Sequence, residues 1–138
     1  MELVPFCTYT ASVVKPDFVG STPAGQRMIV GIREARWEGE RFQAGQRGES
    51  AADWLLVGPD GTAMPDVRMT LRTDDGAFVF VQYHGRGDWS AGSGTAPIYS
   101  AVTFEVEDER YAWMNKVQFV GKGGLTDGRV DYEIFELR

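Results

Sequence analysis

One cysteine and one histidine stand among 138 residues, and each scarcity removes a class of chemistry. Cys7 alone cannot build an internal disulfide framework or a cysteine-based zinc cage. His84 alone excludes every metal or catalytic motif that needs two histidines. Basic residues are in deficit too. Fourteen Lys and Arg against twenty Asp and Glu leave a net charge of −6, whereas a nucleic-acid backbone or an anionic membrane surface calls for the opposite excess. No apolar run approaches the roughly 20 residues of a membrane span. Glu2 and Pro5 interrupt the apolar opening at 3–7, so nothing resembles a signal peptide, and the expectation is a cytoplasmic protein.

Helical spacing of apolar residues is scarce as well. What is present instead is glycine, 17 of 138, punctuating short segments in which apolar and polar residues alternate. That is the pattern of an antiparallel all-β fold. The candidate strands are 3–13, 27–37, 53–57, 67–73, 77–84, 98–106, 116–120 and 129–137. About eight such strands suffice to close a small barrel around a side-chain core or one small ligand. One short helical turn is expected at 107–115. There is no internal repeat and no linker, so residues 1–138 read as a single domain. If the barrel is incompletely closed, long edge strands such as 3–13 could pair between chains into a homo-oligomer.

The hairpin around Asp74-Asp75-Gly76-Ala77 carries the first functional expectation. Asp75-Gly76 suits a two-residue type I′ loop, which pairs Asp74 with Ala77. Val67, Met69, Leu71 and Thr73 then share an inner face with Phe78, Phe80, Gln82 and His84. A three-residue loop would instead set Arg72 opposite Phe78. On the strand at 27–37, Met28, Val30 and Ile32 form an apolar face whose next member is Glu34. A carboxylate at the rim of an apolar core has a raised pKa and suits proton transfer near neutral pH.

Several pieces together resemble the family known as domain of unknown function 3237. They are Glu2-Leu3-Val4-Pro5, Pro23-Ala24-Gly25-Gln26-Arg27, Ala52-Asp53-Trp54, Asp60-Gly61, Leu71-Arg72-Thr73-Asp74-Asp75-Gly76-Ala77, Arg110-Tyr111-Ala112-Trp113-Met114-Asn115 and Phe119-Val120-Gly121. The resemblance implies a closed, lipocalin-like (calycin-type) antiparallel barrel and no single reaction. The chain departs from the family at Glu34-Ala35, where members usually carry a glycine pair, and at Glu109, where they usually carry proline. The segment after His84 is also shorter and rich in glycine and serine.

The functional expectation is a cofactor-independent enzyme of the cyclase, isomerase or lyase type, acting by proton transfer on a small hydrophobic or aromatic oxygenated metabolite inside the barrel. Glu34, Asp53 and His84 are the candidate acid and base groups. Trp54, Arg72, Phe80, Gln82, Tyr111, Trp113 and Asn115 are the candidate ligand contacts. Each has a structural reading beside the functional one. His84 or Glu34 can be a solvated strand-end group, Asp53 can cap a loop, and the turn carrying Tyr111, Trp113 and Asn115 can plug the barrel. Gly121-Lys122-Gly123-Gly124 lacks the spacing of a phosphate-binding loop and no cluster has metal-ligand spacing, so no metal or organic cofactor is expected. A non-catalytic carrier with the same pocket is the alternative.

Overall fold

Alternation along the chain becomes alternation across a barrel wall. In the computed structural model, which describes residues 1–138, Ile98, Ser100, Val102 and Phe104 are buried while the residues between them are exposed. Eleven strands form: β1 (Leu3–Val13), β2 (Asp17–Thr22), β3 (Gly25–Glu38), β4 (Gln43–Gln46), β5 (Ala52–Val57), β6 (Thr62–Met64), β7 (Asp66–Thr73), β8 (Phe78–Asp88), β9 (Ile98–Glu105), β10 (Phe119–Thr126) and β11 (Arg129–Leu137). One 3-10 turn, Ala112–Lys116, interrupts them. All strands belong to one antiparallel sheet, which closes because β1 pairs with both β11 and β3. No helix is long and apolar enough to cross a membrane.

The expected all-β closed barrel is therefore what the chain forms, with more strands than the eight anticipated. The three additional strands continue positions that others begin. β1 and β2 lie on the same side of β3. β4 and β5 both bridge β3 and β7. β6 and β7 both bridge β5 and β8. Eleven strands thus occupy eight places round the wall. Pro16 and Pro65 stand at two of the breaks, where a residue without an N–H ends a ladder.

Two local irregularities correct the expected facing of side chains. Between Thr73 and Ala77 the hairpin loop has three residues, Asp74, Asp75 and Gly76, and Arg72 pairs with Phe78. The Thr73 N–H donates to the Ala77 carbonyl at 2.8 Å, and the Gly76 N–H to the Thr73 carbonyl at 2.9 Å. Gly76 takes φ 99°, the bulge position of a three-residue loop. Side chains select this loop over the two-residue one. The Thr73 hydroxyl accepts the Ala77 N–H at 2.7 Å and donates to Asp75 at 2.6 Å. One extra loop residue turns β8 over. Val79, Val81 and Tyr83 face inward, while Phe78, Phe80, Gln82 and His84 face outward.

The second irregularity lies in β3. Thr10 pairs with Arg36 and Ser12 with Arg33, so three steps of β3 oppose two of β1. The surplus residue is Glu34, at φ 55°. Below the bulge Val30 and Ile32 are buried, and above it Ala35 and Trp37 are. Glu34 points to solvent. The amide of Gln46 satisfies the backbone groups that the bulge frees, donating to the Ile32 carbonyl at 2.9 Å and accepting the Ala35 N–H at 3.1 Å.

Candidate functional site

The barrel has two unlike ends. One is packed shut by Phe6, Phe42, Phe104 and Phe119, with Phe6 and Phe119 ring centres 4.8 Å apart and Phe104 and Phe119 5.0 Å apart. The 3-10 turn seals this end. Trp113 packs edge-on to Phe6, and the Arg41 guanidinium covers the Trp113 ring at 4.7 Å. The Asn115 amide spans the Val106 N–H and carbonyl at 2.9 and 2.7 Å. The Tyr111 hydroxyl reaches both Asp75 carboxylate oxygens at 2.8 Å. The plug reading of this turn accordingly describes its contacts, and Tyr111, Trp113 and Asn115 stand away from any cavity that could admit a ligand beside Asp53.

The other end holds the candidate site. β5 alternates so that Asp53 and Leu55 face in, while Trp54 faces out beneath the Arg68 guanidinium at 4.8 Å. Asp53 lines a cavity of about 60 Å³. Its neighbours there are Val13, Ile32, Leu55, Ile98 and Val130 on the apolar side and the tyrosines Tyr83 and Tyr132 on the polar side. Trp89 and Leu125 stand at the mouth. Burial in this apolar setting pushes the Asp53 carboxyl up to about 6, because a carboxylate out of water loses hydration that few groups replace. The Asp66 N–H, donating to Asp53 at 3.0 Å, works in the opposite direction.

The tyrosines are held protonated. Burial drives Tyr83 well above the ordinary phenol range and raises Tyr132 and Tyr9 likewise. Tyr83 and Tyr9 hydroxyl oxygens stand 3.5 Å apart, and Tyr9 is stacked between Trp37 at 4.3 Å and Tyr132 at 5.7 Å. Asp53 lies close enough to raise all three phenols through its charge. A base poised near neutrality, beside phenols that keep their protons and can donate them in hydrogen bonds, is suited to removing a proton and stabilising the oxyanion that results. No group of three or more His, Cys, Asp and Glu side chains is gathered as a metal ion would need.

Of the sequence candidates, Asp53 alone reaches this cavity. Glu34 sits on the outer bulge, and His84 is exposed with its Nδ1 3.6 Å from Asp66, so the inner-face pairing of these two does not form. Arg72 lies outside over Phe78 at 5.8 Å. Phe80 and Gln82 share that outer face. Sequence reasoning missed Tyr83, Tyr132 and Trp89. The alternation Val130, Tyr132, Ile134 in β11 was the available sign for Tyr132, and the three-residue loop was the one for Tyr83.

The family model described as "Protein of unknown function (DUF3237)" matches residues 1–137. No curated protein matches the chain. Among solved structures, a β-barrel-like protein from Acinetobacter baumannii is 24% identical with a TM-score of 0.89, covering 99% of this chain and 96% of its own. A protein of unknown function from Clostridium acetobutylicum is 23% identical with a TM-score of 0.91, covering 100% of both chains. An enzyme from Penicillium herquei is 20% identical with a TM-score of 0.68, covering 99% of this chain and 98% of its own. These likenesses show a shared fold.

Proposed function

Taking as premise that the chain belongs to the DUF3237 family, we propose that it is a cofactor-independent enzyme that moves a proton on a small hydrophobic or aromatic oxygenated molecule held inside the barrel. The observation that carries this reading is Asp53, a carboxyl raised to about 6 in an apolar cavity it shares with two protonated tyrosines. The Penicillium herquei protein, described as an enzyme, supports catalysis on this fold.

The Asp53 carboxylate takes a proton from the carbon beside a substrate carbonyl. The C–H electron pair forms the new C=C bond and the carbonyl pair moves onto oxygen. Tyr83 or Tyr132 then donates a hydrogen bond to that developing oxyanion, which a dry site makes worth more than it would be in water. The protonated Asp53 returns its proton to a second carbon, giving isomerisation, or to a departing group, giving elimination. For cyclisation, Asp53 takes the proton of an internal hydroxyl whose oxygen bonds to the β-carbon of a conjugated carbonyl. The C=C and C=O pairs shift onto the carbonyl oxygen, and the proton returns to the α-carbon of the resulting enolate. All three reactions use one base, one oxyanion site and no external electron acceptor.

The test is hydrogen exchange at carbon. Cyclic ketones and enones are incubated with the protein in deuterated water, and incorporation is followed by NMR. The wild-type protein should accelerate exchange for at least one of them, and Asp53→Asn should lower that rate by about 10²-fold or more while still binding the compound. Unaccelerated exchange across the panel, with binding retained, would overturn catalysis and leave a carrier.

A further inference from the structure

The cavity beside Asp53 is too small for the ring it is read as serving. Its volume of about 60 Å³ is well under half that of an apolar cavity of about 150 Å³, which takes one benzene. Something in the wall must move. Val13, Ile32, Leu55, Tyr83, Ile98 and Val130 cannot do so cheaply, because each stands on a strand paired on both sides. Trp89 differs. It is the first residue past β8 and begins the irregular segment that runs to Pro97.

The backbone of Trp89 is pinned while its ring is not. Its N–H donates to the Gly61 carbonyl at 2.9 Å, and Gly61 lies so close to Ser90 that a Cβ there would meet the Ser90 Cα at 2.5 Å. The half-buried indole is tethered by one hydrogen bond, from Nε1 to the Ala96 carbonyl at 3.1 Å. That acceptor belongs to a stretch containing Gly92 at φ 130° and Gly94 at φ 73°, a backbone of high local freedom. Releasing one hydrogen bond and rotating one side chain opens the Asp53 cavity to the mouth.

We propose that Trp89 is the specificity-determining residue of this site, a gate whose ring sets the size of the planar oxygenated substrate that can reach Asp53. With the indole in place the cavity is closed to a ring. With it shifted, one aromatic ring lies against Tyr83 and Tyr132, while the displaced indole still fills the space that a second ring would need. The proposal rests on the reading of this cavity as the ligand site, and its test is binding, which does not depend on turnover.

Phenol and 2-naphthol, one ring and two, serve as probes and are titrated calorimetrically into wild-type protein, Trp89→Ala and Trp89→Phe. Wild type should bind phenol about tenfold or more tightly than 2-naphthol, a discrimination of the size a shaped apolar pocket achieves. Trp89→Ala should reverse that order by tightening 2-naphthol, with Trp89→Phe between the two. The phenylalanine variant keeps an aromatic ring on the core and can be read if the alanine variant does not fold. In wild type, the Trp89 indole N–H resonance should shift when phenol is added. Equal 2-naphthol affinities in wild type and both variants would overturn the gate and leave the proposed function standing. Failure of every protein to bind either probe would overturn both.

Discussion

Glu34 and Asp53 are carboxylates that the fold holds at a cost, for different reasons. Glu34 takes a left-handed conformation at φ 55°, which a side chain with a Cβ resists by roughly 1–2 kcal/mol. Glycine, without a Cβ, takes that conformation freely. Glu34→Gly should raise stability by about 1 kcal/mol, less if the freer unfolded chain takes part of the gain; a thermal or urea melt measures it. Asp53 resists burial of its charge. The folded protein keeps the Asp53 proton to about pH 6, while the unfolded chain loses it near 3.8. Stability therefore falls as pH rises from about 4 to 6 and stays lowered above. The gap between the folded and unfolded values corresponds to about 3 kcal/mol as an upper figure. Asp53→Asn keeps an acceptor for the Asp66 N–H and removes the charge, so it should melt higher than wild type at pH 8, with the difference closing by pH 4. A costly charge kept in a largely apolar cavity is the trade of stability against activity expected of a catalytic base. By the same titration, wild-type exchange activity should rise with pH through about 6 and level off above it.

Among the elements, the β7–β8 hairpin and the 3-10 turn form one unit. Asp75, in the stretch from Leu71 to Ala77, receives the Thr73 and Tyr111 hydroxyls and stands 3.0 Å from the Arg110 guanidinium. Its neighbour Asp74 takes the Arg36 guanidinium in two bonds of 2.7 and 2.6 Å. The two most recognisable stretches of the family resemblance thus meet at the sealed end, and what they secure is closure of the barrel. Tyr111→Phe should lower stability by about 1 kcal/mol, the worth of a hydrogen bond to a partly solvated charge, and leave phenol affinity unchanged; a chemical melt and a titration check the pair of outcomes. Legibility followed apolar alternation rather than length. β5, six residues long, was readable, whereas β2, also six, and the shorter β4 and β6 were not, because such polar or very short segments become strands only when neighbours offer them hydrogen bonds. The strand expected at 116–120 lies at Phe119–Thr126, beyond the 3-10 turn.

Across the molecule, the packed aromatic seal and the candidate site lie at opposite ends. The four packed phenylalanines and the plug lie at one, and Asp53, the tyrosines and Trp89 at the other. Phe119 is wholly buried, and Phe119→Ala should cost about 3–5 kcal/mol by opening a cavity in the sealed end. Under conditions where that variant is still folded, phenol should bind it as it binds wild type. A matching loss of affinity would mean that the two ends are one coupled core.

Alternation, turn residues and scarcity of His and Cys are local properties of the chain, and they sufficed for the all-β barrel and for Asp53 as a candidate. Which side chains face the interior was decided elsewhere. A one-residue change of register turns a whole strand over, and both faces of β8 carry large apolar residues, so composition could not choose between them. The choice came from contacts across the fold: Thr73 and Asp75 closing a three-residue loop, and Gln46 capping the bulge at Glu34. Those contacts sent His84 and Glu34 outward and brought Tyr83 in beside Asp53.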